Sequence, residues 1–289
     1  MKVFGALALT VLLMGATARL GAAPIGGGGT AYLDDSQGDL FVGDPTTGDF
    51  SLVGTSATAA GFGGFTDIGF AGNVLYGLDH NGNVYTINQS TGQIISLIGN
   101  SEIATPASVV GLSDSTNPNT LVAGGNGQVY NINTSTGFGT AIGTGSPNYG
   151  TAGDDTFANG TLYLTSFVPN SDSLFSIDQT TGAGTNLGQL CADGPACTEP
   201  WSDVFGMIYD TVNSTMYGFD VNGDEFDVNL ADPTSSGTEF ALSGITGTQE
   251  SELLGAAFTT SPEPSTFPLI GSGLILLAVG LRRKANRTV

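Results

Sequence analysis

From residue 30 to residue 260 the chain alternates short apolar runs with clusters of Gly, Asn, Asp, Ser and Thr, a pattern that predicts many short strands joined by tight turns. Four stretches align on one another: GDLFVGDPTTGDFSLVG from Gly38, GNVYTINQSTGQIISLIG from Gly82, GQVYNINTSTGFGTAIG from Gly127 and DSLFSIDQTTGAGTNLG from Asp172. Their central glycines, Gly48, Gly92, Gly137 and Gly182, lie 44, 45 and 45 residues apart, and the aromatics Phe41, Tyr85, Tyr130 and Phe175 keep step with them. A fifth, degenerate copy starts at Gly223, displaced by an insertion. Each copy reads as a hairpin: alternating apolar residues such as Val84 and Ile87 form one strand, a Ser/Thr-Thr-Gly segment turns the chain, and Ile94 to Ile98 return it. Two more strands precede each hairpin, for example Ile68-Gly69-Phe70 with Val74 to Leu78, and Phe205 to Tyr209 with Thr215 to Phe219. Four strands per repeat of roughly 45 residues is the arithmetic of a propeller blade.

The first copy lacks its leading strand: Thr30 to Leu33 serve as its second and Leu40 to Val42 as its third. An unmatched apolar strand, Leu253 to Phe258, stands at the far end and can complete that first blade, so that the N- and C-terminal strands close the ring. Closure removes the open sheet edges that a linear array would expose. The reading is therefore an all-β chain, a β-propeller of about five four-stranded blades; a β-sandwich or β-solenoid is the alternative for so many short strands. The units resemble propeller repeats in general, without the Trp-Asp signature of the WD40 class, and no named propeller family is assigned.

Composition sharpens this picture. Glycine is abundant at 45 residues, and the formal net charge is −20. The six basic residues, Lys2, Arg19, Arg282, Arg283, Lys284 and Arg287, all lie near the ends, so residues 20–281 contain neither Lys nor Arg. A domain without cationic side chains cannot neutralise phosphates, which excludes ordinary nucleic-acid binding. It also has no Lys for a Schiff base and no Arg clamp for a phosphoryl group. The acidic surface keeps an exported protein soluble and would attract divalent cations or cationic partners. No cofactor is predicted, although a divalent cation fits this charge, and no metal ligands are assigned.

Candidate chemistry is sparse. Cys191 and Cys197, six apart in the loop CADGPACTEP, suit a local disulfide in an exported protein. The runs Asp79-His80-Asn81-Gly82-Asn83 and Asp220-Val221-Asn222-Gly223-Asp224 hint at calcium loops, but glycine falls fourth and no Glu follows at the required distance. They read instead as Asn-Gly hairpins with type I′ turns, recurring at Asn126-Gly127. His80, the single histidine, sits in such a turn, and no nucleophile-elbow motif is present, so no catalytic residue is assigned. A carboxylate pair of the glycoside-hydrolysing kind would be sought first among Asp34, Asp35, Asp154, Asp155 and Asp203. The repeat aromatics read as blade core, and Trp201 as packing beneath the insertion.

The ends carry a different message. Lys2, the apolar stretch Val3 to Ala16 and the small residues around Ala18 and Ala23 follow the three-part order of a secretory signal peptide, taken as residues 1–23 with an N-terminal signal helix. Residues 24–260 form the repeat domain. In residues 261–289, Pro262-Glu263-Pro264 precede an apolar run, Phe267 to Leu281, and the basic cluster Arg282-Arg283-Lys284. As a helix the run rises about 22 Å, short of a hydrocarbon core of about 30 Å. The positive-inside rule keeps the cluster cytoplasmic and the domain across the inner membrane.

Pro262, Glu263, Pro264, the apolar run and the Arg282-Arg283-Lys284 cluster together resemble the PEP-CTERM sorting signal, over about the last 29 residues. The resemblance implies recognition by an exosortase-type membrane enzyme, transient inner-membrane anchoring through Phe267 to Leu281, cleavage near the motif, and delivery to the envelope or extracellular matrix of a Gram-negative bacterium. It is silent on the domain between. The expectation is a non-enzymatic structural or binding module of surface or biofilm matrix, with exopolysaccharide or matrix components as partners. The alternative is a carboxylate-dependent enzyme acting on extracellular polysaccharide.

Overall fold

The structure, a computed structural model, describes residues 29–259 except 57–63, 105–110, 116, 126, 147, 170–171, 202, 238 and 246–252. The signal-peptide and sorting-tail segments lie outside the described residues. Among those described, no helix is long and apolar enough to cross a membrane.

The protein is an all-β, five-bladed β-propeller. Blade 2 is the simplest, running outward from the axis as β4 (Asp67–Ala71), β5 (Val74–Leu78), β6 (Asn83–Ile87) and β7 (Ile94–Asn100). Blade 3 follows as β8 (Gly111–Ser113), β9 (Thr120–Gly125), β10 (Gln128–Asn133) and β11 (Gly139–Ala141). Blade 4 comprises β12 (Thr151–Ala158), β13 (Thr161–Ser166), β14 (Ser173–Ile177) and β15 (Gly184–Gln189). Blade 5 comprises β16 (Val204–Asp210), β17 (Thr215–Asp220), β18 (Asp224–Val228) and β19 (Glu239–Ala241). Blade 1 draws on both ends of the domain: β1 (Thr30–Asp35), β2 (Asp39–Asp44) and β3 (Asp49–Thr55) take β20 (Leu253–Thr259) as their innermost strand. The β1–β20 pairing is antiparallel, with Leu33 opposite Ala256 and Asp34 opposite Gly255.

The core is divided among the seams. Each of five apolar clusters draws on two neighbouring blades; one packs Tyr76, Leu78 and Val84 of blade 2 against Leu112, Leu121 and Ile132 of blade 3. The cluster of Phe41, Phe50, Ile208, Phe219 and Phe258 joins blade 5 to blade 1. Burial of such a side chain contributes about 1.5–3 kcal/mol, so the ring is held as much between blades as within them. The same seam is stitched outside by the Phe50 amide, which donates to the Ser243 carbonyl at 3.0 Å.

The repeated Thr-Gly turn has a mechanical reason. Asp44, Asn88, Asn133 and Asp178 each accept, through a side-chain oxygen, the amide two residues on. The turn then closes on a left-handed glycine, Gly48, Gly92, Gly137 or Gly182. At Gly92 a Cβ would stand 2.7 Å from the Gly54 carbonyl oxygen of the previous blade. Positive φ and close approach both demand glycine there.

The Asn-Gly hairpins need a correction. Asp79 accepts the amides of Asn81 and Asn83 on one carboxylate oxygen, at 2.9 and 2.8 Å, and Gly82 alone carries positive φ, 77°. Asn81 and Asn222 lack the positive φ that a type I′ turn requires at both central residues. The aspartate cap goes with a three-residue loop, in which the Gly82 amide closes on the Asp79 carbonyl at 2.8 Å and the left-handed glycine forms a bulge. Asp35 and Asp220 repeat it. Type I′ geometry occurs instead at Asn159-Gly160, with φ of 50° and 81°.

Candidate functional site

The innermost strands β4, β8, β12, β16 and β20 pack around the axis, and there the acidic residues gather. Asp67 opens β4, and its two oxygens accept the amides of Ile68 at 2.6 Å and of Leu112, on the next blade, at 2.5 Å. Asp154 repeats the arrangement on β12, accepting Asp155 at 2.5 Å and Met207 of blade 5 at 2.5 Å. Asp155 accepts the Gly124 amide of blade 3 at 3.2 Å through one oxygen. Oxygens of Asp67, Asp154 and Asp155 all lie within 4.8 Å of one another.

Asp34 reaches the same region from β1. A Cβ on Gly255 would stand 2.2 Å from Asp67 Oδ1 and 2.7 Å from Asp34 Oδ1, so the two carboxylates converge on a space that only glycine leaves open. Asp34 and Asp155 are 2% and 1% exposed. Neither oxygen of Asp34, nor Oδ2 of Asp155, has a hydrogen bond of good geometry among the described residues, although the Phe65 amide is close enough to favour the charged form of Asp34.

Burial without a compensating cation has a predictable electrostatic result. Desolvation first, then the charge of Asp35, raises the Asp34 pKa well above the usual carboxylate range. Desolvation, then Asp154, does the same to Asp67. Asp154 is also raised, chiefly by desolvation. Asp155 is pushed up to about 8, again chiefly by desolvation.

A separate cleft of about 530 Å³ opens beside the hairpins that leave the innermost strands. Asp114, Phe157, Asn159, Gln179, Tyr209 and Ser214 contribute to its wall. Among the described residues Asp114 is the only carboxylate in that wall, and it bridges two strands by accepting the amides of Phe70 and Phe258 at 2.7 Å each. Desolvation pushes its pKa up to about 7.

Of the five acids singled out in the sequence, the structure brings Asp34, Asp154 and Asp155 to the axis. Asp35 caps a turn. Asp203 is exposed beyond the cysteine loop, and its amide donates to Asp172 at 2.8 Å. His80 is exposed in its turn. Cys191 and Cys197 are joined by a disulfide. Trp201 is 9% exposed and stacks on Phe226 with centroids 4.1 Å apart, its indole N–H donating to the Ser236 carbonyl. The sorting residues Pro262, Glu263, Pro264, Arg282, Arg283 and Lys284 lie outside the described residues. Sequence reasoning missed Asp67 and Asp114. The available signal was an acid beside apolar and glycine residues in a leading strand (Asp67-Ile68-Gly69, Leu112-Ser113-Asp114), in a domain without Lys or Arg.

No known family matches this sequence, and no curated protein does. Solved structures are similar in fold. A chain of the nidogen/laminin complex superposes with a TM-score of 0.50 at 12% identity, over 81% of this chain and 99% of that one. A structure from work on the de novo evolutionary emergence of a symmetrical protein gives 0.46 at 15% identity, over 78% and 93%. The computationally designed Ika8 protein gives 0.38 at 15%, over 78% and 61%. At these identities the likeness concerns the fold alone.

Proposed function

We propose that this chain is an exported envelope or biofilm-matrix protein, released by an exosortase-type enzyme, whose propeller is a structural or binding module rather than a catalyst. The observation that carries the reading is where the ring closes. The last strand, β20, ends at Thr259, three residues short of Pro262. A cut near Pro262-Glu263-Pro264 would therefore remove the apolar run and basic cluster while leaving every blade strand in place.

The placement of the acids favours binding over catalysis. A glycoside-hydrolysing pair needs two carboxyl groups roughly 5–10 Å apart in a space that admits the polymer. The axial carboxylates that meet are sealed from solvent, and the described wall of the cleft offers Asp114 alone. That wall otherwise combines aromatic edges with amide and hydroxyl groups, a lining suited to neutral, hydroxyl-rich polymers.

The test applies protein purified from the culture medium to the host's own extracellular polysaccharide. Retention of the protein with no shortening of the polymer agrees with the proposal. Release of reducing ends, lost in an Asp114→Asn variant, would replace it with the enzymatic alternative.

A further inference from the structure

We propose that Asp67, Asp154 and Asp155, with Asp34 beside them, form an axial site for one divalent cation, with Ca²⁺ the best fit. The site is built by three blades: Asp34 comes from blade 1, Asp67 from blade 2, and Asp154 and Asp155 from blade 4. The proposal does not depend on export or processing.

The first argument is charge balance. Asp67 and Asp154 each receive two backbone amides, at 2.5–2.6 Å. Hydrogen bonds donated to a carboxylate favour its charged form. Two carboxylates held in that way, with a third oxygen ligand from Asp155 within 4.8 Å, repel one another in a region of low dielectric. Such a group is relieved either by taking up protons, as the raised pKa values of Asp67, Asp154 and Asp155 show for the metal-free site, or by a cation. Residues 20–281 supply neither Lys nor Arg, and a divalent ion would meet the need.

The second argument is independent of the cluster's own bonds. Asp34 is 2% exposed and Asp155 1%, and neither oxygen of Asp34 nor Oδ2 of Asp155 has a hydrogen bond of good geometry among the described residues, the Phe65 amide approaching Asp34 only loosely. Buried polar atoms normally have partners. Asp34 Oδ1 points at the space beside Gly255 that Asp67 Oδ1 also faces. Asp34 Oδ1 thus faces the region that Asp67 faces, and an oxygen of Asp155 lies within 4.8 Å of oxygens of Asp67 and Asp154. Each amide-bonded oxygen of Asp67 and Asp154 keeps a further lone pair for an ion.

The donor set selects the ion. Carboxylate oxygens alone, with no His or Cys, suit a hard cation rather than zinc. Oxygens that all lie within 4.8 Å of one another can share one ion, and Ca²⁺ accepts an irregular set of carboxylate oxygens where Mg²⁺ demands a near-ideal octahedron. An ion there would tie blades 1, 2 and 4 together at the axis.

The experiment uses the full chain, freed of metal with EDTA and dialysed. Titration with CaCl₂ in 150 mM NaCl is followed by calorimetry, and thermal unfolding is compared in CaCl₂, MgCl₂ and EDTA. The expected result is uptake of one Ca²⁺ per chain and a Tm at least 5 °C higher in CaCl₂ than in EDTA, with a smaller shift in MgCl₂. Asp155→Asn and Asp34→Asn should each weaken uptake at least tenfold, whereas the exposed Asp193→Asn should not change it. Asp34→Asn breaks no hydrogen bond of good geometry among the described residues and keeps an oxygen for the Phe65 amide, so it decides the matter if Asp155→Asn fails to fold. Absence of Ca²⁺ uptake by the unaltered chain, with equal Tm in CaCl₂ and EDTA, overturns the proposal. So does uptake that both axial variants leave unchanged, since the ions would then sit on the acidic surface.

Discussion

Asp67 on the innermost strand of blade 2 accepts the backbone amide of Leu112 on the innermost strand of blade 3, at 2.5 Å and 45 residues away. The relation recurs between Asp154 and Met207, at 2.5 Å across the seam of blades 4 and 5. A propeller's innermost strands have no sheet neighbour on the axial side, so their amides need acceptors from elsewhere. Here aspartates of adjoining blades provide them, and Asp114 does so for both Phe70 and Phe258.

Replacing Asp67 by alanine strands the buried amides of Ile68 and Leu112. Leaving a buried amide without an acceptor costs about 1–3 kcal/mol. With two amides stranded the expected loss is at least about 2 kcal/mol, measured by urea unfolding. Asp67→Asn keeps one acceptor oxygen and should lose clearly less.

Stability should rise, not fall, on mild acidification of the metal-free protein. Burial raises Asp155 to about 8, Asp114 to about 7 and Asp172 to about 6, all above the range of the unfolded chain. The folded state therefore holds protons that the unfolded state has released. The stabilisation is complete below about pH 4, the carboxylate range of the unfolded chain, and is lost as pH rises through 6 to 8. Thermal melts in EDTA should give a higher Tm at pH 5 than at pH 8. A Tm that climbs steadily from pH 5 to pH 8 would contradict this account of the buried acids.

Glu225 offers a single-residue form of the same test at the seam of blades 5 and 1. It is fully buried with neither carboxylate oxygen bonded among the described residues, and desolvation, then Asp227 and Asp44, pushes its pKa up to about 9. Keeping it protonated at pH 7 costs on the order of 3 kcal/mol relative to the unfolded chain. Glu225→Gln should raise Tm by several degrees at pH 8 and by much less at pH 4.5, read by differential scanning calorimetry.

Trp201, the single tryptophan of the chain, makes the insertion observable. The disulfide between Cys191 and Cys197 closes a short loop next to the ring stacked on Phe226. For a loop this short, chain-entropy reasoning puts the stabilisation at about 2 kcal/mol. The double variant Cys191→Ser, Cys197→Ser should lose about that much in urea and shift tryptophan emission to the red, as the indole leaves its buried place. Unchanged emission would show that stacking on Phe226 holds the ring without the disulfide.

The blades were legible because their signals are local. The aspartate or asparagine cap and left-handed glycine of each outer turn, Asp44 with Gly48 or Asn88 with Gly92, need residues of fixed type at fixed spacing. The ring closure was legible from bookkeeping of strands, since Leu253 to Phe258 had no other blade to complete. The axial cluster was only half legible. Asp34, Asp154 and Asp155 stood out as paired acids, but a pair gives no hint of which side chain turns inward and which caps a hairpin, as Asp35 does. Asp67 and Asp114 bond strands of other blades, a relation that no local spacing encodes. The hairpin type at Asn81-Gly82 was misread because Asp79, not the Asn-Gly pair, sets the turn.

The central claim is that a complete propeller is separated from its sorting tail at Pro262-Glu263-Pro264, and intact mass tests it most directly. Protein would be recovered from the medium and envelope of a native-type host, with and without its exosortase. The account predicts loss of both ends, with a C-terminus between Thr259 and Pro264 only when the enzyme is present. A C-terminus before Leu253, which would remove the closing strand, or an uncut tail in both strains would contradict it.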